Sequence, residues 1–513
     1  MHQNLLTWKD SMDPKDSKEK DSGFSRREFL GTAAVVGAGL VLSGCRKKEE
    51  TPPPGAQAPT GPPGPEPEPP EPATKPFEYN VALIGAGKQG RVLLNCMLKI
   101  PGIRIKAISD IWPYSRKFGL GITSSVGKQK ATGYEDYREM LDKEKDLDAV
   151  IVATPDWTHS EITCAALAAK KHVYCEKEMS NSLEGARKMV EAAKASGKLL
   201  QIGHQRRSNP RYFHSLKMIE IDKMLGNITV MYGQWNRPVQ ILELPAKAYQ
   251  LDDETLKKYG YDTMERFMNW RWYKKFGGGS IADLGSHQID VFNWFLHSTP
   301  IAVTASGGLD YARYRGEKRE WYDTVMAIYE YNIPHTPDYY PEKPKGDASQ
   351  PTTTSGPTTQ GALPDLGPRT VRGFYQVLNT TSSGAYYETF MGDLGTMQIS
   401  EDSRIGFVFK EQQAPRKPWE DDAIIIEKGG VSAIEMKVRY SIKDPAQLQQ
   451  IKSQLRKPVH QLHLENFFAA IRDNIPLNCP PEVGYETAVT VLKVNEAVEA
   501  GRRLEFKSEE FKA

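Results

Sequence analysis

The stretch Val81-Ala82-Leu83-Ile84-Gly85-Ala86-Gly87-Lys88-Gln89-Gly90 decides how this chain folds. Four apolar residues in a row suit a strand buried on both faces, and a G-x-G-x-x-G turn follows at once. A helix is expected over 91–98. In that strand–turn–helix setting each glycine has a task. Gly85 permits the tight turn, Gly87 lets backbone amides approach a pyrophosphate, and Gly90 lets the helix close on the strand. The helix N-terminus adds positive potential for a phosphate, and Lys88 and Gln89 in the turn are further candidate cofactor contacts. Twenty residues on, Asp110 ends the next strand, where a carboxylate can grip both ribose hydroxyls. That favours NAD over NADP, with Arg116 nearby pulling the other way.

Working outward, short β-rich runs at 79–84, 103–109, 149–153, 172–175 and 199–202 alternate with helical patterns such as 182–196. Another helix is expected to open at Thr158, where Thr158 and Glu161 have capping-box spacing. Alternating βαβα units predict an α/β fold, a doubly wound parallel sheet over 77–205. From about 227 the strands lengthen (227–235, 301–307, 323–331, 374–381, 385–390, 405–410) and several alternate in period two. This predicts a second, α+β domain over 206–513 with a mostly antiparallel sheet, closed by amphipathic helices at 460–501. A Pro/Thr/Gly-rich stretch near 334–370 reads as a surface excursion between strands.

The N-terminal 45 residues read as a targeting segment. Arg26-Arg27 precede an apolar, Gly/Ala-rich run from 29 to 43, too short for the ~20 residues of a spanning helix. Paired arginines before such a run look like a twin-arginine export signal, and Leu42-Ser43-Gly44-Cys45 resembles a lipobox whose cysteine is acylated. Residues 46–76 form a linker, and 12 of the chain's 35 prolines fall within 51–76. At ~3.1 Å per residue in polyproline II, it could hold a domain roughly 80 Å from its anchor. The expected location is therefore periplasmic or cell-envelope, with membrane contact only through a lipid at Cys45.

Composition narrows the function classes. Of 513 residues, 67 are Lys or Arg and 65 Asp or Glu, so a net charge of +2 gives no reason to expect a nucleic-acid partner. Five scattered cysteines, with no C-x-x-C pair and no H-E-x-x-H, predict neither a disulfide scaffold nor a metal site.

Three further motifs carry chemistry. Ala153-Thr154-Pro155-Asp156-Trp157-Thr158-His159 ends a strand on the ligand-binding rim of the sheet, so Thr154, Pro155 and His159 are candidate cofactor contacts. His159 equally reads as a helix-start residue with no chemistry. Cys175-Glu176-Lys177-Glu178 ends the next strand. Glu176 would sit by the cofactor and Lys177 would reach over a nicotinamide, or the lysine is a solvated charge. In Gly279-Ser280-Ile281-Ala282-Asp283-Leu284-Gly285-Ser286-His287, Asp283 and His287 are four apart, which on an α-helix places both on one face. A carboxylate orienting an imidazole is a general-base arrangement. A capped helix with a half-buried histidine is the plainer alternative.

Together these motifs resemble the glucose–fructose oxidoreductase / inositol dehydrogenase / MocA (Gfo/Idh/MocA) family, from about residue 77 to the C-terminus. The resemblance implies a Rossmann domain followed by an open-faced antiparallel sheet often used in oligomer contacts, and so a homo-oligomer. It implies that Lys177 contacts substrate and assists proton transfer, that His287 is the general base and that Asp283 orients it. Gly203-His204-Gln205-Arg206-Arg207 resembles the family segment past the sheet, so His204 and Arg207 would line the site. Trp272, in the Trp270-Arg271-Trp272-Tyr273 cluster, would suit stacking on a sugar face or serve ordinary packing. One departure stands out: the family reads Glu-Lys-Pro where this chain has Glu178 in place of proline, so the lysine is presented without proline's fixed φ.

The expected activity is hydride transfer from a carbinol of a sugar or glycoside to a tightly bound NAD. Two alternatives remain open at this point. One is a redox-neutral, NAD-dependent glycoside hydrolase working by oxidation, elimination and re-reduction. The other is a cofactor-binding protein without turnover.

Overall fold

The computed structural model describes residues 79–333, 368–417, 420, 423–428, 431–436 and 444–513. The segment expected to be an export signal, with Cys45, the proline-rich stretch after it and most of the low-complexity stretch lie outside the described residues. Six strands form a wholly parallel sheet: β1 (Tyr79–Ile84), β2 (Ile103–Ser109), β3 (Thr132–Tyr134), β4 (Ala149–Val152), β5 (His172–Cys175) and β6 (Leu200–Ile202). Their order is β3-β2-β1-β4-β5-β6, the doubly wound arrangement in which the sense of strand addition reverses between β1 and β4. The continuous apolar runs are explained by cover on both faces: every residue of β4 is buried. Part of that cover arrives from far along the chain. The helix Val459–Asp473 inserts Leu464, Phe467 and Phe468 among Val81, Leu83 and Ile105.

Helix ends follow local chemistry. Ser182 accepts a hydrogen bond from the Gly185 amide, and Gly197 closes the same helix at φ 69°. The capping box expected at Thr158 does not form. Pro155 occupies the N-cap position and the helix Asp156–Ala168 starts directly after it. Thr158 is therefore already helical, and its hydroxyl bonds the Pro155 carbonyl at 2.8 Å.

The second sheet has ten strands. They are β7 (Ile228–Asn236), β8 (Pro300–Gly308), β9 (Thr324–Ile333), β10 (Arg369–Leu378), β11 (Tyr386–Gly392), β12 (Gly395–Ile399), β13 (Gly406–Lys410), β14 (Ile425–Lys428), β15 (Val431–Glu435) and β16 (Leu504–Glu505). The order is β14-β15-β13-β12-β11-β7-β10-β9-β8-β16, antiparallel throughout except for the central β7/β10 pair. Ile333 pairs with Arg369, so the low-complexity stretch joins the ends of two adjacent strands. One face is covered by the helices Ser286–Leu296 and Pro481–Ala500, with Phe292 and Phe295 packed on Phe390. The other face leaves Val230, Met326 and Ile328 exposed. Residues 237–276 leave this sheet and form a separate small core, in which Leu256, Tyr261, Trp272 and Phe276 take in Ile111 and Trp112 from the loop after β2 and Trp157 from the first turn of the helix Asp156–Ala168.

Candidate active site

A cleft of about 1220 Å³ opens at the C-terminal ends of β1, β4 and β5, and residues 237–276 form its far wall. Its first end is the glycine turn. Gly85 has φ +89°, and a Cβ there would stand 2.6 Å from the Ala153 carbonyl oxygen. Only glycine fits. A Cβ on Gly90 would meet the Gly85 carbonyl oxygen, so this residue too is fixed by packing. Gly87 differs: nothing lies within 4 Å of the position its Cβ would take, and it lines the cleft. Gly87 is also the N-cap of the helix Lys88–Met97, with no side chain capping it. A helix N-terminus with free amides facing an open cleft fits a pyrophosphate.

Asp110 sits beside this turn. Its Oδ2 accepts from the Ala86 amide at 2.7 Å and its Oδ1 from the Trp112 amide at 2.8 Å. Burial pushes the carboxyl up to about 6 against the pull of those two amides. Each oxygen keeps a second lone pair for a ribose hydroxyl. Arg116 donates to the backbone carbonyl of Asp110. Gln89 Nε2 bonds Glu176 Oε1 at 3.0 Å, tying the turn to the end of β5. Lys88 reaches across to Glu243 of the covering segment. Thr154, Pro155 and Glu176 line the cleft.

His159 does not. It is buried behind the wall, with Nδ1 2.7 Å from the Glu178 carbonyl oxygen and Nε2 2.7 Å from that of Thr154. Burial pulls it down to about 4 against the two carbonyl oxygens, so the neutral ring, lying between the loops after β4 and β5, donates to one of those oxygens at a time. His204 and Arg207 also lie outside the cleft lining. His204 is buried 3.6 Å from Glu178 Oε1, and Arg207 makes a side-chain pair with Asp290, Nε to each carboxylate oxygen at 2.9 Å. The segment's lining residue is Gln205, because the short helix Gln205–Ser208 turns the neighbouring side chains into the interior. Glu178, in the place of the expected proline, also points inward and is fully buried.

At the second end of the cleft, Lys177 donates to the Asp283 carbonyl oxygen and lies 3.8 Å from Asp283 Oδ1. His287 lines the same wall, its ring 5.5 Å from that of Trp235. Its Nδ1 is buried and finds no partner among the described residues. Burial, reinforced by Lys177 and Arg206, drives its pKa well below the usual histidine value, so the ring is neutral at neutral pH. The expected Asp283–His287 pair is not made. Residues Ile281–Gly285 form a π-helical turn, and i+5 pairing takes residues four apart off a common face. Asp283 instead meets Arg271 Nε at 2.9 Å and Arg237 Nη2 at 3.6 Å. Burial works to raise its carboxyl, but Arg271, Lys177 and Arg237 together hold it far below the ordinary range.

Trp272 lines the cleft with little exposure, and Arg319 stacks 4.2 Å from its ring. Sequence reasoning missed Arg237, His460 and Asp156. Asp156 lies inside the Thr-Pro-Asp motif, and its carboxyl is pushed up to about 7 by burial, with Lys177 opposing and Asp283 adding to the shift. Its position as the first residue of a helix at the sheet rim is the signal that could have found it. Nothing near Arg237 in the sequence marks it.

With this geometry in place, the comparisons with known proteins agree. Residues 79–204 match the model of the oxidoreductase family's NAD-binding Rossmann fold, and residues 257–333 match the GFO/IDH/MocA C-terminal domain. Both stretches thus resemble the Gfo/Idh/MocA oxidoreductases, the first in its NAD-binding domain and the second in its C-terminal domain. An oxidoreductase of Bacillus subtilis named YrbE is 35% identical over 232 residues, covering 44% of this chain and 56% of its own. The inositol 2-dehydrogenase of Rubrobacter xylanophilus is 31% identical over 163 residues, covering 31% and 44%. This chain thus spans about half the length of the curated relatives it matches. Among solved structures, an aldose-aldose oxidoreductase from Caulobacter crescentus superposes with a TM-score of 0.57 at 16% identity, covering 84% of this chain and all of the other. The WlbA dehydrogenase of Bordetella pertussis, in complex with NADH and UDP-GlcNAcA, gives 0.56 at 16%, covering 84% and 98%. At that identity they share the fold.

Proposed function

We propose that the protein oxidises a carbinol of a sugar or glycoside, with the hydride passing to an NAD seated in the cleft. The observation that carries this reading is that the glycine turn and the Lys177/His287 pair open on one cleft. Gly87 and the amides after it would hold the pyrophosphate, and Asp110 the ribose of the adenosine half. When bound, the nicotinamide supplies the hydride acceptor. His287, kept neutral by burial, takes the hydroxyl proton at Nε2, the nitrogen not shut in the interior. Lys177 stabilises the oxygen as it becomes an alkoxide. Asp283 is a positioning residue here: it holds Lys177 and two arginines in place rather than orienting the base. The inositol 2-dehydrogenases among the relatives support a polyol or sugar alcohol as the reacting group.

The cover formed by 237–276 favours a second reading of the outcome. Trp112 Nε1 donates to the Tyr249 carbonyl oxygen at 2.7 Å and Trp157 Nε1 to Tyr261 Oη at 3.2 Å, fastening the cover over the dinucleotide end. A cofactor so enclosed, in a protein bearing an export signal, would be recycled in place. The reaction would then be redox-neutral: one sugar oxidised and another reduced, or a glycoside cleaved by oxidation, elimination and re-reduction. We place the protein in the cell envelope through Cys45. The exposed face at Val230, Met326 and Ile328 would serve as a contact between copies.

Purified protein should carry pyridine dinucleotide through desalting, and a chain with no affinity for it overturns the reading. Release of p-nitrophenol from glycosides without net NADH separates hydrolase from oxidoreductase. Cys45→Ser should yield soluble, unlipidated protein; retention on the membrane removes the anchor.

A further inference from the structure

The charges of the cleft are unevenly matched along its length. Toward the outer wall, acids meet cations more evenly: Glu243 with Lys88, Glu135 with Lys258, and Asp136 and Glu161 with Arg138. At the catalytic end, Lys177, Arg237 and Arg271 all converge on the single carboxylate of Asp283. One negative charge faces three positive ones. Arg237's other polar partner is the amide oxygen of Asn379, which is neutral. Two other acids line the wall nearby: Glu176, which is bonded to Gln89, and Asp156, whose carboxyl burial pushes up to about 7. His287 and His460, also on the wall, carry no negative charge to offset the surplus.

Clustered, half-buried cations are costly to hold together unless something negative shares them. On the proposed function, on which this inference rests, the oxidised nicotinamide would add one more positive charge here. The pyrophosphate would be taken up at Gly87. The missing negative charge has to come with the substrate. A neutral sugar would leave Arg237 and Arg271 sharing the one Asp283 carboxylate with Lys177, whereas an oxyanion suits their planar forks. We propose that the substrate is a sugar bearing an oxyanion, the carboxylate of a uronic acid or the phosphate of a sugar phosphate, received between Arg237 and Arg271.

The test uses the full chain with its bound dinucleotide and follows quenching of the cleft tryptophans Trp270 and Trp272 during titration. The probes are matched sets: glucuronate, glucose 6-phosphate and glucose, then the galactose counterparts. At least one anionic member should bind about 10-fold or more tightly than its neutral parent, the amount a charge-assisted bond contributes. That preference should shrink in about 0.5 M salt. Arg237→Gln, or Arg271→Gln if the first variant folds poorly, should bring the anionic sugar to within about 2-fold of the neutral one. A preference for acids alone identifies the carboxylate, and for phosphates alone the phosphate. Equal or tighter binding of the neutral parents overturns the inference. So does a preference that survives both substitutions, or a failure of any anionic member to bind. Protein that retains its dinucleotide while ignoring sugar charge refutes this inference and leaves the oxidoreductase reading standing; protein that holds no dinucleotide removes both.

Discussion

The two ends of the cleft are assembled differently. The dinucleotide end comes from short stretches of contiguous chain: a turn at 85–90, a carboxylate at 110 and two strand ends. Its geometry is dictated by backbone sterics, such as the Gly85 position that no Cβ can occupy. The substrate end gathers Lys177, Arg237, Arg271, Asp283, His287 and His460 from distant segments, and it depends on a π-helical turn. Errors at the first end should therefore damage folding or cofactor retention, and errors at the second should damage turnover.

The sharpest break of that contrast is His287→Ala. Turnover should fall by about 10²–10⁴-fold with little change in thermal stability. An active variant would move the base elsewhere. At the other end, Gly85→Ala combines a left-handed φ with a clash against Ala153, and should cost about 2–5 kcal/mol in denaturant unfolding. Gly87→Ala has room, so it should leave the melting temperature unchanged and weaken dinucleotide binding by roughly 10-fold. If both glycine variants destabilise equally, the division between packing and ligand roles at this turn is wrong.

The carboxyls at the substrate end sharpen the comparison through pH. Asp283 is held below its ordinary range, so it contributes stability above its unfolded value, and this is lost as pH falls through its lower folded value. Asp283→Asn should lower stability at pH 7 and lose less on acidification. Asp156 is raised to about 7, so its contribution has the opposite sign: the fold is favoured at low pH and weakened as pH rises toward 7. Asp156→Asn should therefore gain melting temperature relative to the parent between pH 5 and pH 8, by roughly a few degrees. Parallel pH profiles for the two variants would show that these carboxyls do not feel the charges around them. The smallest effect is expected from Trp112→Leu. Removing the bond to Tyr249 loosens the cover, and dinucleotide release should quicken by about 3–10-fold.

Much of the first sheet was readable in advance because its signals are local. Fully buried strands must be continuously apolar, and the glycine turn announces itself by spacing. The three-residue strand β3 escaped because Thr-Gly-Tyr carries no apolar run, and β16 because its two residues pair with β8 far back along the chain. At the site, Lys177 and His287 were legible as residue types at strand and helix ends. Their relation to Asp283 was not, since spacing of four implies a shared face only on an α-helix. His159, His204 and Arg207 carried the right chemistry in the right segments but were turned inward by packing.

By itself the sequence determined the doubly wound fold, the dinucleotide turn and which side chains were available for chemistry, because backbone sterics and hydrophobic period act over a few residues. The tertiary structure alone decided which of those side chains meet. It assigned Asp283 to three cations instead of to His287, brought Arg237 to the cleft and laid residues 237–276 over it. Those outcomes depend on charges and apolar surfaces that lie from 12 to 137 residues apart in the sequence until the chain folds.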